Sequence, residues 1–203
     1  MIAADALTGG FDDPVFQSQS VFRKVLDAFA RPGTIVEIPP VVTAPRPLFA
    51  ATAAFICTFA DEGTPIHVDR SVVDAEAALD WIRFHTDAPI AADPREAAFA
   101  ILADPNNVPP FSDFHLGTAE YPDRSTTILI QMSDFSGKDS LMLEGPGIDG
   151  AASFNPHPLP ADFVERMRAN RTLYPRGVDV VLASPHALAA LPRSLRINAS
   201  EGA

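Results

Sequence analysis

The 203-residue chain is poor in cysteine and in long apolar runs. Its single cysteine, Cys57, cannot close an internal disulfide or hold an iron–sulfur cluster alone. Because Cys57 lies in the uncharged run 48–60, we expect it to be a small buried residue. That run is too short to cross a bilayer, and residues 1–11 lack the basic start and hydrophobic run of a secretory signal. We therefore expect a cytoplasmic protein.

Lysine and basic charge are also scarce. The two lysines are Lys24, on a predicted helix, and Lys138, in a predicted loop. Because a pyridoxal phosphate (PLP) enzyme needs a lysine near a pocket for its Schiff base, we predict no such chemistry and no cofactor. The 15 basic and 26 acidic residues give a formal net charge of −11, which repels nucleic acids and anionic membranes. We expect neither as a partner, although a local basic pocket could still bind a small anion.

Motifs of self-sufficient catalysis are missing as well. The five histidines have neither H-x-x-x-H nor H-E-x-x-H spacing, and the sequence holds no G-x-S-x-G or S-x-x-K, so we predict no metal site. Residues 145–150 do spell G-x-G-x-x-G after a predicted strand. A dinucleotide site needs a helix to begin at the third glycine, whereas residues 151–160 carry three prolines. We therefore predict a plain glycine-rich turn.

The strongest strand signal is residues 126–132, which are apolar or β-branched at successive positions and predict a strand buried on both faces. Residues 141–144 predict a second strand, and Gly137 in the link between them can take a positive φ angle. The pair predicts a hairpin at the centre of a sheet. Further strands are predicted at 34–38, 65–69, 177–183 and, at an edge, 191–197, together with a pair formed by 90–92 and 98–102.

The first predicted helix begins with Asp13 as N-cap and Pro14 at the first helical position. Other helices are predicted at 47–59, 74–85 and 162–172, with a short helix or turn at 109–116. We expect a loose arm (1–12), one α/β domain (13–197) and a tail (198–203). On the first helix, one apolar stripe is formed by Val15, Gln19, Phe22, Leu26 and Phe29. Whether the 14 phenylalanines only fill the core or also form a contact surface stays open.

Arginines are the remaining candidates for function. Arg83 and His85 end the predicted helix 74–85, where cations also suit the helix dipole. The alternative is an anion- or partner-binding site, because a guanidinium fork suits phosphate and carboxylate oxygens. Arg23 and Arg193 are further candidates, with plain solvation as their alternative.

Several stretches follow one another in a specific order. Residues 13–33 read DPVFQSQSVFRKVLDAFARPG and residues 79–89 read LDWIRFHTDAP. GTA (117–119), STTILIQM (125–132), LEGPGI (143–148), PRGVDVVL (175–182) and LPR (191–193) follow. In order and spacing, these stretches resemble the PhnH family, a subunit of the bacterial carbon–phosphorus lyase core complex, over residues 13–197.

The resemblance implies a three-layer α/β/α sandwich with a mixed central sheet, similar to the large domain of PLP-dependent transferases without the PLP site. It implies a homodimer when isolated and a complex with PhnG, PhnI and PhnJ in the cell. With an ATP-binding accessory protein, that transferase complex exchanges the adenine of ATP for an alkylphosphonate. The radical iron–sulfur subunit PhnJ then cleaves the carbon–phosphorus bond. The resemblance carries no catalytic residue over to this sequence.

We therefore expect a non-catalytic or indirectly catalytic subunit in alkylphosphonate utilisation. With its partners it would help to convert ATP plus methylphosphonate to ribose 1-methylphosphonate 5-triphosphate and adenine, so ATP or a phosphonate would bind at the level of the complex. Two alternatives stay open: a free-standing enzyme, and a regulatory binder of a phosphorylated small molecule in an arginine-lined pocket.

Overall fold

A computed structural model describes residues 7–199 of the chain. In this range the α-helices are Pro14–Ala30 (α1), Ala50–Phe59 (α2), Arg70–Val73 (α3), Glu76–Thr86 (α4) and Phe163–Thr172 (α5). The strands are Val36–Glu37 (β1), Ile66–Val68 (β2), Phe99–Leu102 (β3), Thr127–Gln131 (β4), Leu141–Glu144 (β5), Ala152–Phe154 (β6), Asp179–Ala183 (β7), Ala187–Leu191 (β8) and Arg196–Ala199 (β9).

The main sheet has six strands in the order β1-β8-β7-β4-β3-β2. Strands β2, β3, β4 and β7 are parallel to one another, whereas β8 is antiparallel to both of its neighbours. The sheet is therefore mixed, as predicted, and β4 lies near its centre between β3 and β7.

Strand β4 shows why both faces of this sheet are covered. Leu129 points into a core beneath α1, α2, α3 and α4, which we call the helical layer. Its neighbours Ile128 and Ile130 point into a second core beneath α5 and a three-stranded sheet, β6-β5-β9, which we call the opposite layer. All three side chains are fully buried, so a strand apolar at every position occupies the middle layer. The opposite layer differs from the expected all-helical one because it carries a small sheet beside α5.

The predicted hairpin of β4 and β5 is wrong. Strand β5 pairs with β6 and β9 in the small sheet, whereas β4 pairs only within the main sheet. The burial patterns explain the separation, since β5 alternates between buried and half-buried residues and suits a sheet with one covered face. Gly137, in the link, does not take a positive φ angle. A side chain at this position would be crowded, because its Cβ would lie 2.9 Å from His157 Cβ and 3.2 Å from the carbonyl oxygens of Asn155 and Pro156.

Two other strand predictions need correction. Residues 191–197 do not form one edge strand, because Leu191 ends β8 and Ile197 lies in β9 of the other sheet. Strand β8 itself escaped prediction, since its Ala-Leu sequence lacks β-branched residues, which strands favour. The predicted pairing of 90–92 with 98–102 is also wrong, because Ile90 forms a parallel bridge with Ile66.

The sequence signals for a helix start and for a turn predicted the structure better than the signals for strand pairing did. The Asp13 side chain accepts a hydrogen bond from the Phe16 amide, and Pro14 is the first residue of α1, as predicted. The G-x-G-x-x-G segment is a turn leading into β6, also as predicted. Its Gly147 has a φ angle of +85° and lies against the Ala30 carbonyl, so a side chain would meet the end of α1.

The predicted arm and tail lie only partly within the described residues. Residues 1–6 and 200–203 lie outside the described range. Within it, the Trp81 indole donates a hydrogen bond of 2.9 Å to the Thr8 carbonyl, and the Thr43 amide donates one to Gly9. Residues 8–9 are therefore held against the fold rather than loose. Strand β9 extends to Ala199, two residues past the predicted domain boundary.

Candidate functional site

The two polar residues predicted at the end of α4 do not form one site. Arg83 is half-exposed, and its guanidinium lies 3.6 Å from the Asp80 carboxylate. His85 stacks on Trp81 with ring centroids 4.4 Å apart, and it lies close to Gly10, where a side chain would clash with the imidazole. Residues two apart on a helix point to different sides, and here one points to solvent and the other towards the N-terminal segment.

Arg193 has an internal role. Its guanidinium pairs with the Asp179 carboxylate at 2.6 Å, and the Arg193 side chain is only 13% exposed. It also donates hydrogen bonds to the Pro122 carbonyl and the Ser125 hydroxyl, which ties the start of β7 to two loops. These contacts account for Arg193 as a structural residue.

Arg23 is exposed on α1, so the predicted residues lie on three separate segments of the fold. The side of α1 next to Arg23 is apolar. Its exposed fractions are 73% for Val15, 70% for Phe16, 42% for Phe22 and 50% for Leu26. We call these four residues the α1 face. Three of them, Val15, Phe22 and Leu26, belong to the apolar stripe predicted from the sequence, and the structure leaves most of that stripe exposed to solvent.

The core attachment of α1 uses other residues. Val21, Val25 and Ala28 are its buried residues, and Phe29 is partly buried beside them. Phe22 also contacts the fold, since its ring lies 5.5 Å from that of Phe59. Helical spacing alone could not distinguish the two sides, because both repeat at intervals of three or four residues. The α1 face is thus apolar surface that residues 7–199 leave exposed.

A cleft of about 470 Å³ lies at the carboxyl ends of β3 and β7, beside the start of α2. Open α/β sheets commonly bind ligands at this edge. The cleft is lined by Ala44, residues 46–50, Ala103, Pro185 and His186. The Gln131 side chain, at the end of β4, bonds the Pro47 carbonyl at 2.8 Å and the Phe49 amide at 2.7 Å, which fixes the start of α2.

The chemistry available in this cleft is limited. Among its lining residues, the Arg46 guanidinium and the His186 imidazole are the ionisable groups, and neither lysine is present. Lys24 lies on α1, and Lys138 lies in the link between β4 and β5. Across residues 7–199, no three His, Cys, Asp or Glu side chains are grouped as metal ligands would be. No pattern in the sequence distinguishes Arg46 or His186.

Cys57 is partly buried against the core of the helical layer, in line with the prediction. Burial raises the pKa of its thiol from the ordinary 9.0 to about 12. A thiol of that pKa is almost wholly protonated at neutral pH and is a poor nucleophile. In the described part of the chain, none of the helices is both long and apolar enough to span a bilayer.

Comparisons with known proteins agree with one another. A family model described as "Bacterial phosphonate metabolism protein (PhnH)" matches residues 9–198. The "Alpha-D-ribose 1-methylphosphonate 5-triphosphate synthase subunit PhnH" of Rhizobium meliloti (strain 1021) is 40% identical over 190 residues, or 94% of each chain. The "Putative C-P lyase subunit protein HtxG" of Stutzerimonas stutzeri is 28% identical over 183 residues, covering 90% of this chain and 86% of its own. Because the family model and the first relative both span almost the whole sequence, the chain belongs to the PhnH family of bacterial phosphonate metabolism proteins.

Proposed function

We propose that this chain is a subunit of a carbon–phosphorus lyase core complex and that it binds a neighbouring subunit through the α1 face. In that complex it would be needed to convert ATP plus methylphosphonate to ribose 1-methylphosphonate 5-triphosphate and adenine. The observation that carries the proposal is the uncovered α1 face on a chain whose 40% identical relative is named as a synthase subunit.

The α1 face supports a protein partner for an energetic reason. Burying a large apolar side chain contributes about 1.5–3 kcal/mol relative to leaving it in water. The α1 face leaves Val15, Phe16 and Leu26 at least half exposed on one helix. Clustered apolar surface of this kind is characteristic of contact sites between proteins. The occupant we propose is another subunit of the complex rather than a second copy of this chain.

The proposed role is non-catalytic or indirectly catalytic. The predicted polar residues support it, because Arg193 is engaged in internal contacts and Arg83 and His85 point to different sides of α4. A cytoplasmic location, a homodimer when isolated, and partners equivalent to PhnG, PhnI and PhnJ belong to the same proposal. So does a likeness to the large domain of PLP-dependent transferases, which the mixed sheet with one internal antiparallel strand supports.

The first test is adenine release from ATP plus methylphosphonate by the reconstituted complex. We expect activity with this chain present, loss of activity when it is omitted, and none from the chain alone. Activity from the isolated chain would contradict the proposal and favour a free-standing enzyme. Full activity without the chain would also contradict it.

The second test concerns the α1 face. We expect Leu26→Glu to weaken capture of the partner subunits at least tenfold, because the interface would have to bury a charge. Ala119→Glu is the matched control, since it adds the same charge at an exposed position outside α1 and should leave capture unchanged. Equal capture by both variants would remove the α1 face from the interface. If Leu26→Glu instead changed only the mass of the isolated chain, the face would join two copies of it.

A further inference from the structure

Three arginines gather on the opposite layer, where sequence reasoning placed no site. Arg168 and Arg171 lie on α5 and Arg196 lies on β9, and together with Leu195, Ile197 and Asn198 they line a cavity of about 170 Å³. We call Arg168, Arg171 and Arg196 the arginine triad. The first two are three positions apart on α5, which places them on the same side of the helix.

Neutral oxygens hold two of these guanidinium groups in place. Arg168 Nε donates to the Ile197 carbonyl at 3.2 Å, and its Nη2 donates to Asn198 Oδ1 at 2.7 Å. Arg171 Nε donates to the Ser194 carbonyl at 3.1 Å. These bonds orient the side chains without neutralising their charges. Within residues 7–199, the terminal nitrogens of Arg171 make no hydrogen bond or ion pair, so they can still donate to a ligand.

The charge balance at the triad is unusual for this chain. Across the molecule acidic residues outnumber basic ones, and the formal net charge is −11. The nearby Arg166 pairs with Asp162 at 2.8 Å. At the triad, the paired carboxylate is Glu144, which lies 3.4 Å from Arg196 Nε. Arg196 therefore has a carboxylate partner, whereas within residues 7–199 neither Arg168 nor Arg171 forms an ion pair.

Structural roles, such as a favourable interaction with the helix dipole or packing of α5, explain only part of the arginine triad. A cation near the C-terminus of α5 is favourable, and the Nε bonds of Arg168 and Arg171 join α5 to the β9 segment. Neither role requires a third arginine on β9 or open terminal nitrogens facing a cavity. Guanidinium groups that are held in place and keep free N–H donors can bind phosphate-like oxyanions through bidentate hydrogen bonds.

We propose that the arginine triad binds a small molecule through a phosphate or phosphonate group. The cavity is below the roughly 300–1,000 Å³ of pockets that enclose drug-sized ligands, so it suits one charged headgroup with the rest of the ligand in solvent. The headgroup could belong to a free phosphonate or to the terminal phosphate of a nucleotide, since both present the same oxygens. The inference goes beyond the subunit role and does not depend on it.

The test uses the full isolated chain and three ligands: methylphosphonate, inorganic phosphate and ATP. Binding is measured by calorimetry and by amide chemical-shift changes at constant ionic strength. We expect wild-type protein to bind at least one ligand, with shifts confined to α5 and the 194–198 segment. Arg171→Gln should weaken binding at least tenfold, because charge-assisted hydrogen bonds are lost. Binding of methylphosphonate without ATP would identify a free phosphonate as the ligand, and the reverse result would identify a nucleotide.

Matched variants keep the result interpretable. Arg95→Gln removes the same charge from an exposed ion pair with Asp93 and should not change affinity. Arg168→Lys retains the charge but not the fork, and thermal unfolding checks that each variant is folded. No binding of any ligand at millimolar concentration, or an equal loss of affinity in Arg171→Gln and Arg95→Gln, would overturn the proposal. Because no partner subunit is present, this outcome is independent of the assembly tests above.

Discussion

The two layers that cover the main sheet are alike on their inner sides and different on their outer sides. Inside, both are closely packed apolar cores that share the buried strand β4. Outside, the helical layer presents the apolar α1 face, whereas the opposite layer presents the arginine triad. The inner sides reflect the requirements of folding. The outer sides differ in chemistry, and this contrast underlies the two kinds of recognition that we propose, of a protein by the α1 face and of an anion by the arginine triad.

The largest effect we expect comes from an arginine that belongs to neither outer side. Replacing Arg193 with Met should lower the free energy of unfolding by about 3–5 kcal/mol, because the Asp179 carboxylate, whose side chain is 20% exposed, would keep its bond from the residue 193 amide but lose its charged partner. Urea denaturation measures this. Arg70→Met, at an exposed pair with Asp74, is the control and should leave the free energy of unfolding nearly unchanged. A loss below about 1 kcal/mol for Arg193→Met would show that its contacts matter little.

Two neighbouring residues of β4 can test whether the two cores are equally well packed. Leu129→Ala opens the core of the helical layer and Ile130→Ala opens the core of the opposite layer, and both side chains are fully buried. Each should lower the free energy of unfolding by about 2–5 kcal/mol, from lost burial plus the cavity left behind. If one variant were nearly neutral in urea denaturation, the corresponding layer would be loosely packed and the comparison would fail.

The contrast between inside and outside can be tested on two neighbouring residues of α1. Val25 is 3% exposed and Leu26 is 50% exposed. Val25→Ala should cost about 2 kcal/mol of stability, whereas the larger truncation Leu26→Ala should cost about 0.5 kcal/mol or less. Thermal unfolding of the isolated chain compares the two variants. A greater cost for Leu26→Ala would mean that the α1 face is covered in solution.

Cys57 provides a probe of the helical layer that needs no substitution. A thiol pKa of about 12 in place of 9.0 leaves roughly a thousandfold less thiolate at pH 8. Modification with Ellman's reagent at pH 8 should therefore be much slower in the folded protein than in urea, where the ordinary pKa returns. Similar rates in both states would indicate that the layer opens readily.

Local sequence chemistry predicted the parts of the fold that depend on neighbouring residues. Asp13 and Pro14 mark the start of α1 because a cap needs only the adjacent turn. Strand β4 was predicted because its apolar residues are consecutive. The pairing of β5 was mispredicted because its partners, β6 and β9, are chosen by contacts distant along the chain. Strand β8 was missed because its alanines suit a strand only where both sheet faces are already covered.

The candidate sites depend even more strongly than the strands on contacts between residues that are distant along the chain. Arg193 was proposed for an anion or partner, and its contacts with Asp179, Pro122 and Ser125 come from segments 14 to 71 residues away. The arginine triad was missed because Arg196 reaches α5 only through the fold of β9. No spacing rule in the sequence connects these residues.

Family membership, the type of most elements, the cap of α1 and the scarcity of lysine, cysteine and positive charge could be read from the sequence. They follow from composition, from local conformational preference or from ordered motifs. Which side of α1 meets the core, which arginines lie near a carboxylate, and which strands share a sheet depended on three-dimensional packing. Burial and charge pairing are properties of neighbours in space, and here those neighbours come from distant parts of the chain.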